Sequence, residues 1–312
     1  MITKKEPLVS VVIAFINEEA FLEEAITSVL KQDYDNYELL LIDDGSADST
    51  TQIAKNFAAA YPEKVFYFDH ENHQNKGVCV SRNLGVEKSK GELIALLDAD
   101  DVWLPGKLSN QVAIFANNPG IGMVAEASLY WSSWNQQQAK DVTIAVGANP
   151  GKVYSPPALM FILYPLKTGA APCPSALMLT KAAIIKAGGF EKSFIKKFQL
   201  YEDQAFLCKI YLQQAVFISS ACNNLYRQRE ESVVKWVNNG GHYHKVRRYF
   251  LDWLQAYLKK ENIKNKQLNK LMDRSFLRYR YPQVFFLTNT VPAMVLSVYK
   301  KTFPKGIKKY FK

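Results

Sequence analysis

The sequence is poor in the features that staple a chain, anchor it in a bilayer or bind a dinucleotide. Its four cysteines, Cys79, Cys173, Cys208 and Cys222, form no C-x-x-C pair and no zinc-like spacing. Scattered thiols with mostly apolar flanks argue against a disulfide framework and point to a reducing compartment. No run of eighteen apolar residues occurs, and Met1–Pro7 holds no apolar signal core. Neither a membrane-spanning helix nor an export signal is therefore expected, and the chain is expected in the cytoplasm. No glycine-rich loop follows the first apolar run, where the chain reads Phe-Ile-Asn-Glu-Glu-Ala-Phe. That disfavours a dinucleotide oxidoreductase, and also a sugar nucleotidyltransferase, which would carry glycine and arginine there. Internal repeats, low-complexity segments and nucleic-acid-binding motifs are also missing, so no nucleic-acid partner is expected.

What is present suits one large domain with an appendage: 312 residues, 48% hydrophobic and 22% charged. The net charge of +10 is unevenly placed. Residues 245–312 hold 17 lysines and arginines against only Asp252, Glu261 and Asp273, whereas the first 244 residues carry a net charge of −4. From about Gly241 the pattern is helical, with Val246, Tyr249, Phe250, Trp253, Leu254, Tyr257 and Leu258 in one apolar stripe. Further on, Tyr299–Phe303 and Ile307–Phe311 interleave aromatics with lysines. Such a tail suits either an interfacial helix on an anionic membrane surface or a face packed on the main domain or on a second subunit of a homo-oligomer.

The first hundred residues alternate in period. Leu8–Phe15, Tyr37–Ile42, Val65–Phe68 and Leu93–Leu97 read as short buried strands, separated by helical patterns such as Phe21, Leu22, Ala25, Ile26, Val29 and Leu30. This predicts a doubly wound, mostly parallel α/β sheet that binds ligands beyond the carboxyl ends of its strands. Later, Gly122–Trp131, Ser175–Thr180 and Ala215–Ser219 read as strands, Glu202–Gln214 as a helix and Ser132–Pro157 as a long polar loop. The predicted division is a catalytic domain over residues 1–230 and a basic helical region over 231–312. Trp131 reads as a core side chain, while Trp134 is open to either a core place or a stack on a sugar ring.

Acidic clusters gather at the predicted strand ends. Asp98-Ala99-Asp100-Asp101 follows a buried strand, so Asp98 and Asp100, pointing the same way on an extended backbone, can hold one Mg²⁺ or Mn²⁺ beside a diphosphate; the bland alternative is a solvated acidic turn. Asp43 and Asp44 end the second strand before Gly45, in reach of a nucleoside or serving only the turn, with Asp48 or Ser49 left to cap the next helix. Glu18 follows the first strand as a ligand group or as a complement to a helix dipole. Arg82 lies on a helix to meet phosphate or to remain at the surface. Glu202 and Asp203 open a helix; one carboxyl beside another has its pKa raised toward that of a general base, or the two simply complement the dipole.

Together, VSVVIAFINEE, YELLLIDDGSADST, KGVCVSRNLGVEKSKGELIALLDADD, SALMLTKAAIIKAGGFEKSF and EDQAFLCKI, in this order over about residues 7–230, resemble the family-2 inverting glycosyltransferases of GT-A fold that assemble bacterial polysaccharides. The resemblance implies transfer of a hexosyl or N-acetylhexosaminyl group from a UDP-sugar to a glycan or lipid-linked acceptor, assisted by a divalent cation. It implies that Ala14, Phe15, Glu18 and Asp44 line the nucleoside pocket and that Arg82 supports the diphosphate. Asp98 and Ala99 would lie at the donor, Asp98 and Asp100 at the metal, and Asp203 would be the catalytic base. The same architecture also suits a non-catalytic nucleotide-sugar or membrane-surface binding protein. The first strand departs from the family in ending Ala-Phe-Ile-Asn instead of with a small hydroxyl residue and Tyr before Asn. His242 and His244 lie near the place of a late metal-binding histidine without being assigned that role.

Overall fold

The computed structural model describes residues 6–135, 140–229, 237 and 240–290. The chain divides into two compact units, Met1–Val246 and Arg247–Lys312.

In the first unit the β-branched run Val9–Phe15 (β1) and the fully buried Tyr37–Asp43 (β2) pair in parallel, Val9 with Tyr37 through Phe15 with Asp43. Val65–Asp69 (β3) adds outside β2, and Leu93–Leu96 (β4) lies on the other side of β1, all parallel. The crossovers are the helices Leu22–Leu30 (α1), Thr50–Ala60 (α2) and Val78–Lys88 (α3). Apolar residues of β1, β2, β4 and α1 form a continuous core, with Val11, Ile13, Leu22, Ile26 and Leu39 fully buried. Gly85 of α3 lies against Val12, so a β-carbon there would collide with that side chain and hold the helix off the sheet.

The sheet then changes character. Val102–Trp103 (β5), the helix Lys107–Asn117 (α4), Met123–Ala125 (β6), Ser128–Trp131 (β7), Val142–Ile144 (β8), Lys152–Tyr154 (β9) and Leu177–Thr180 (β10) follow. After them come the helices Lys181–Lys186 (α5) and Glu202–Gln213 (α6), with the strands Val216–Ile218 (β11) and Asn224–Arg227 (β12). The main sheet has the order β3-β2-β1-β4-β10-β6-β11-β9, in which β10 runs antiparallel to both neighbours; a second sheet has the order β5-β12-β7-β8. This is a doubly wound α/β sheet.

Two of the element expectations need correction, and two short strands went unread. Gly122–Trp131 is two strands in two sheets, because the chain turns out at Glu126. That carboxylate is buried where a strand would need an apolar residue, and it is satisfied by Lys107 at 3.2 Å and by Asn223 N–H at 3.0 Å. The segment Ser132–Pro157 is not all loop. It contributes β8 and β9, whose outward Val142 and Val153 are too exposed to leave an apolar pattern. β5 and β12 carry no periodic signal at all, being two and four residues long.

The helix Tyr243–Lys260 begins in the first unit and runs into the second, where Lys266–Arg280 follows. Phe250, Leu254 and Phe276 are fully buried. Among the described residues no helix is long and apolar enough to cross a membrane. The lysine-aromatic runs of residues 299–303 and 307–311 lie outside the described residues.

Candidate functional site

A cleft of about 1280 Å³ opens beyond the carboxyl ends of β1, β2 and β4, and Ala14, Phe15, Glu18, Asp44, Arg82, Asp98, Ala99, Asp100, Glu202 and Asp203 all line it. Residues nearly two hundred positions apart thus share one cavity. His242 and His244 are not among its described lining residues.

The turn after β4 is built from within. The strand stops at Leu96, and Asp101 N–H closes onto the Asp98 carbonyl at 3.0 Å. Asp98 and Asp100 therefore meet the cleft from a tight turn, not by the alternation of an extended strand that the sequence suggested. Asp101 is the buried hub beneath them. Its carboxylate accepts from the Ser175 hydroxyl at 2.6 Å and from Arg227 N–H at 2.9 Å, while Ser175 Oγ accepts from Asp98 N–H at 3.1 Å. Burial, and then the charges of Asp100 and Asp98, push the Asp101 carboxyl well above the usual range.

Arg82 is no surface arginine. Its buried guanidinium donates to Asp98 Oδ1 at 2.7 Å and to Glu202 Oε1 at 2.6 Å, bridging the β4 turn to the start of α6. Burial opposes its charge, but Glu202 and Asp98 outweigh burial and hold its pKa above the ordinary value. Both partners of its fork are protein carboxylates, so its observed role is to clamp the two acidic segments together.

Asp203, next to Glu202 and half-buried, accepts from Gln204 N–H at 2.6 Å and from the Gln204 amide at 3.2 Å. Burial first, and then the charge of Glu202, push its carboxyl up to about 7, against the pull of the Gln204 hydrogen bonds. Burial also raises Glu202, with Arg82 opposing.

At the end of β2, Asp43 and Asp44 already have partners. Asp43 accepts from Gly45 N–H and Ser46 N–H and from the hydroxyls of Thr51 and Tyr67. Asp44 Oδ1 accepts from the backbone N–H groups of Lys76 at 2.7 Å and Gly77 at 3.0 Å. These acids order the turn, as one of the two sequence alternatives had it, and also the 74–77 loop. Gly45 is required between them, since its φ is +84° and a β-carbon would meet His73 O at 2.7 Å. Asp48 accepts from Thr50 N–H at 3.0 Å, whereas Ser49 makes no side-chain cap bond.

Sequence reasoning missed the residues that close the cleft from the far side. Arg227 N–H and Nε hold Asp101 and the Asp100 carbonyl, and its Nη2 reaches Glu24 at 2.5 Å. Arg229 reaches Glu18 and Asp100. The visible signal was Tyr226-Arg227-Gln228-Arg229, two cations one residue apart at a strand end. Trp131 and Trp134 flank Arg227, their ring centres 4.5 and 4.9 Å from its guanidinium carbon. Trp131 is half-buried there and is not a core side chain; Trp134 donates to the Gln228 carbonyl at 2.9 Å, and neither lines the cleft.

Among the described residues no three His, Cys, Asp or Glu side chains converge as a metal site. Asp98 and Asp100 offer the hard carboxylate oxygens that Mg²⁺ or Mn²⁺ takes, and such an ion keeps several positions for phosphate and water. The pair fits on that chemistry, with the condition that Asp100 Oδ2 now lies 2.8 Å from Arg229 Nε.

A doubly wound sheet with an acidic turn after its fourth strand and a second acidic pair across the cleft defines a GT-A domain. Residues 10–162, just under half of the chain, match the family described as glycosyl transferase family 2. EpsE of Bacillus subtilis is 35% identical over 134 residues, 43% of this chain and 48% of that protein. The Escherichia coli protein WfgD, named a UDP-Glc:α-D-GlcNAc-diphosphoundecaprenol β-1,3-glucosyltransferase, is 35% identical over 111 residues, 36% of this chain and 42% of its own. The chain spans about half or less of the length of the curated relatives it matches. S. aureus TarS 1–349 in complex with UDP-GlcNAc superposes with a TM-score of 0.61 at 17% identity, over 90% of this chain and 76% of that one. A mannosyltransferase of Pyrobaculum calidifontis, solved with GDP-Man and Mn²⁺, gives 0.56 at 15% identity, over 98% and 84%. At those identities the likeness is one of fold.

Proposed function

We propose that this chain transfers a sugar from a nucleoside-diphosphate donor, a UDP-hexose or UDP-N-acetylhexosamine, to a hydroxyl of a glycan or lipid-linked acceptor, with inversion at the anomeric carbon. The observation that carries the reading is Asp203, a half-buried carboxyl lifted to about 7 in the same cleft as the Asp98–Asp101 turn. A base of that strength takes a proton at neutral pH and still spends part of its time ionised. Uridine as the nucleotide is supported by the UDP-GlcNAc complex of TarS and by the donor in WfgD's name, which also supports a lipid-linked acceptor.

In this reading the acceptor oxygen attacks the anomeric carbon opposite the diphosphate. The bond from that carbon to the phosphate oxygen breaks, its electron pair leaves with the diphosphate, and the hydroxyl proton passes to Asp203. Arg82 pairs with Glu202 beside Asp203 and fixes Asp98 at the donor end. Ala14, Phe15 and Glu18 line the nucleoside end, and Asp44 shapes the loop beside it. Asp98 and Asp100 would hold Mn²⁺ or Mg²⁺, which supplies stabilisation of charge on the departing diphosphate.

The second unit is placed by this reading on the inner face of a membrane. Support comes from Tyr281, Val284, Phe286 and Leu287, all exposed at its described end, within residues 245–312 that hold 17 basic residues against three acids. Near an anionic surface each basic residue contributes on the order of 1 kcal/mol.

The test is release of UDP from UDP-glucose and UDP-GlcNAc with Mn²⁺ by the parent chain, Asp203→Asn and Asp100→Asn. Both substitutions are expected to abolish most release in folded protein, and release indifferent to both removes the assigned roles. Sedimentation with phosphatidylserine vesicles but not with phosphatidylcholine vesicles is expected for the membrane placement.

A further inference from the structure

Arg229 makes a commitment that neither the family match nor the reaction explains. It lies two residues past β12, beyond the matched segment, and its side chain is about one-quarter exposed at the wall of the cleft. Its Nη2 donates to Glu18 Oε1 at 2.9 Å, its Nη1 to Glu18 Oε2 at 3.0 Å, and its Nε pairs with Asp100 Oδ2 at 2.8 Å. The ring of Phe21 lies 5.0 Å from the guanidinium carbon. One planar fork thus ties the segment after β1 to the turn after β4, using all three of its nitrogens.

The two acids of the β4 turn are therefore neutralised by different arginines. Arg82 takes Asp98 from a buried position and is also bound to Glu202. Arg229 takes Asp100 from the open side. Among the described residues, Glu18 and Asp100 have no other ion-pair partner. A divalent ion that used Asp100 would share its carboxylate with a guanidinium of like charge in a half-buried place, where such repulsion is weakly screened.

We propose that Arg229 is the resident cation of the Glu18–Asp100 pair, and that a divalent ion gains Asp100 only by displacing it. The displaced guanidinium stays in the cleft, where a diphosphate offers it the bidentate oxygens it has given up. This rests on the reading of the cleft as a nucleotide-sugar site, and it adds a positioning and binding role for Arg229 within it.

The experiment measures Mn²⁺ binding to the full chain without substrate, by the electron paramagnetic resonance signal of free Mn²⁺, for the parent, Arg229→Gln and Arg229→Lys. Circular dichroism and the melting temperature confirm that each is folded. Arg229→Gln is expected to bind Mn²⁺ at least tenfold more tightly than the parent. Arg229→Lys, which keeps the charge but cannot span three oxygens, is expected to gain about threefold and carries the test if the glutamine variant does not fold. Equal or weaker affinity in the folded variants, or no Mn²⁺ bound by any chain, overturns the proposal. A second arm measures UDP binding by calorimetry with EDTA, where Arg229→Gln is expected to lose at least fivefold and an unchanged affinity counts against the diphosphate role. Failure of the parent to bind UDP both with EDTA and with Mn²⁺ overturns the nucleotide-sugar reading instead, and leaves the Mn²⁺ comparison to judge Arg229.

Discussion

The two sides of the cleft treat their carboxylates in opposite ways. On the donor side each acid is neutralised or hydrogen-bonded before any ligand arrives: Asp44 by the N–H groups of Lys76 and Gly77, Asp98 by Arg82, Glu18 and Asp100 by Arg229. On the other side Glu202 is paired with Arg82, but Asp203 has, among the described residues, only the backbone and amide of its neighbour Gln204, and it sits beside the charge of Glu202. Pinned acids hold geometry; an under-satisfied acid holds a proton. In the proposed reading, the difference separates groups that shape the site from the group that does chemistry in it.

The sharpest way to break that contrast is to remove the proton acceptor alone. Asp203→Asn is expected to lower transfer by about 10²–10⁴-fold while UDP binding changes less than threefold, read from initial rates and calorimetry. Near-parental turnover would show that the raised carboxyl is not the base.

Next comes the clamp between the two sides. Arg82→Met leaves Glu202 buried and unpaired, and removing one partner of a buried pair costs about 3–5 kcal/mol, measurable by urea unfolding. The double variant Arg82→Met with Glu202→Gln is expected to recover part of that loss, because no buried charge is then left over. Loss without recovery would mean that the guanidinium matters for packing and not for Glu202.

The pH dependence follows from the raised pKa of Asp203. A base must be ionised, so the rate is expected to fall as pH drops through about 7. Stability runs the other way. The folded chain holds the Asp203 proton more tightly than the unfolded chain, so this residue costs stability as pH rises from its ordinary 3.8 to about 7. Asp203→Asn is therefore expected to raise the melting temperature at pH 8 and to leave it little changed at pH 4.

Much of the donor half was legible because its signals are local. β1 announces itself as a buried β-branched run and β2 and β4 as short leucine-rich apolar runs, and the acids after them occupy the positions where a doubly wound sheet exposes its ligands. Asp203 was legible as an acid beside Glu202 at the opening of a helix and, through the resemblance, as a base; the burial that raises its pKa most is a tertiary fact. What stayed hidden depends on pairing across the fold. β12 has four residues and no period of its own, yet it delivers Arg227 and Arg229 to segments about two hundred residues away. The split at Glu126 was hidden for the same reason, since a buried carboxylate is tolerable only with Lys107 and Asn223 in place.

The smallest expected effect tests the pinned side by the gentlest change. Asp44→Asn keeps the shape and one acceptor oxygen but removes the charge that receives the N–H groups of Lys76 and Gly77. Hydrogen bonds to a charged acceptor are worth more than neutral ones, and the difference predicts a loss of about 1 kcal/mol. Because the 74–77 loop borders the nucleoside end of the cleft, weaker UDP binding should accompany the lost stability, while the pH at which the rate half-falls stays where Asp203 sets it. A shifted pH midpoint in Asp44→Asn would mean that the two sides of the cleft are electrostatically one group, and the division between holding and reacting acids would fail.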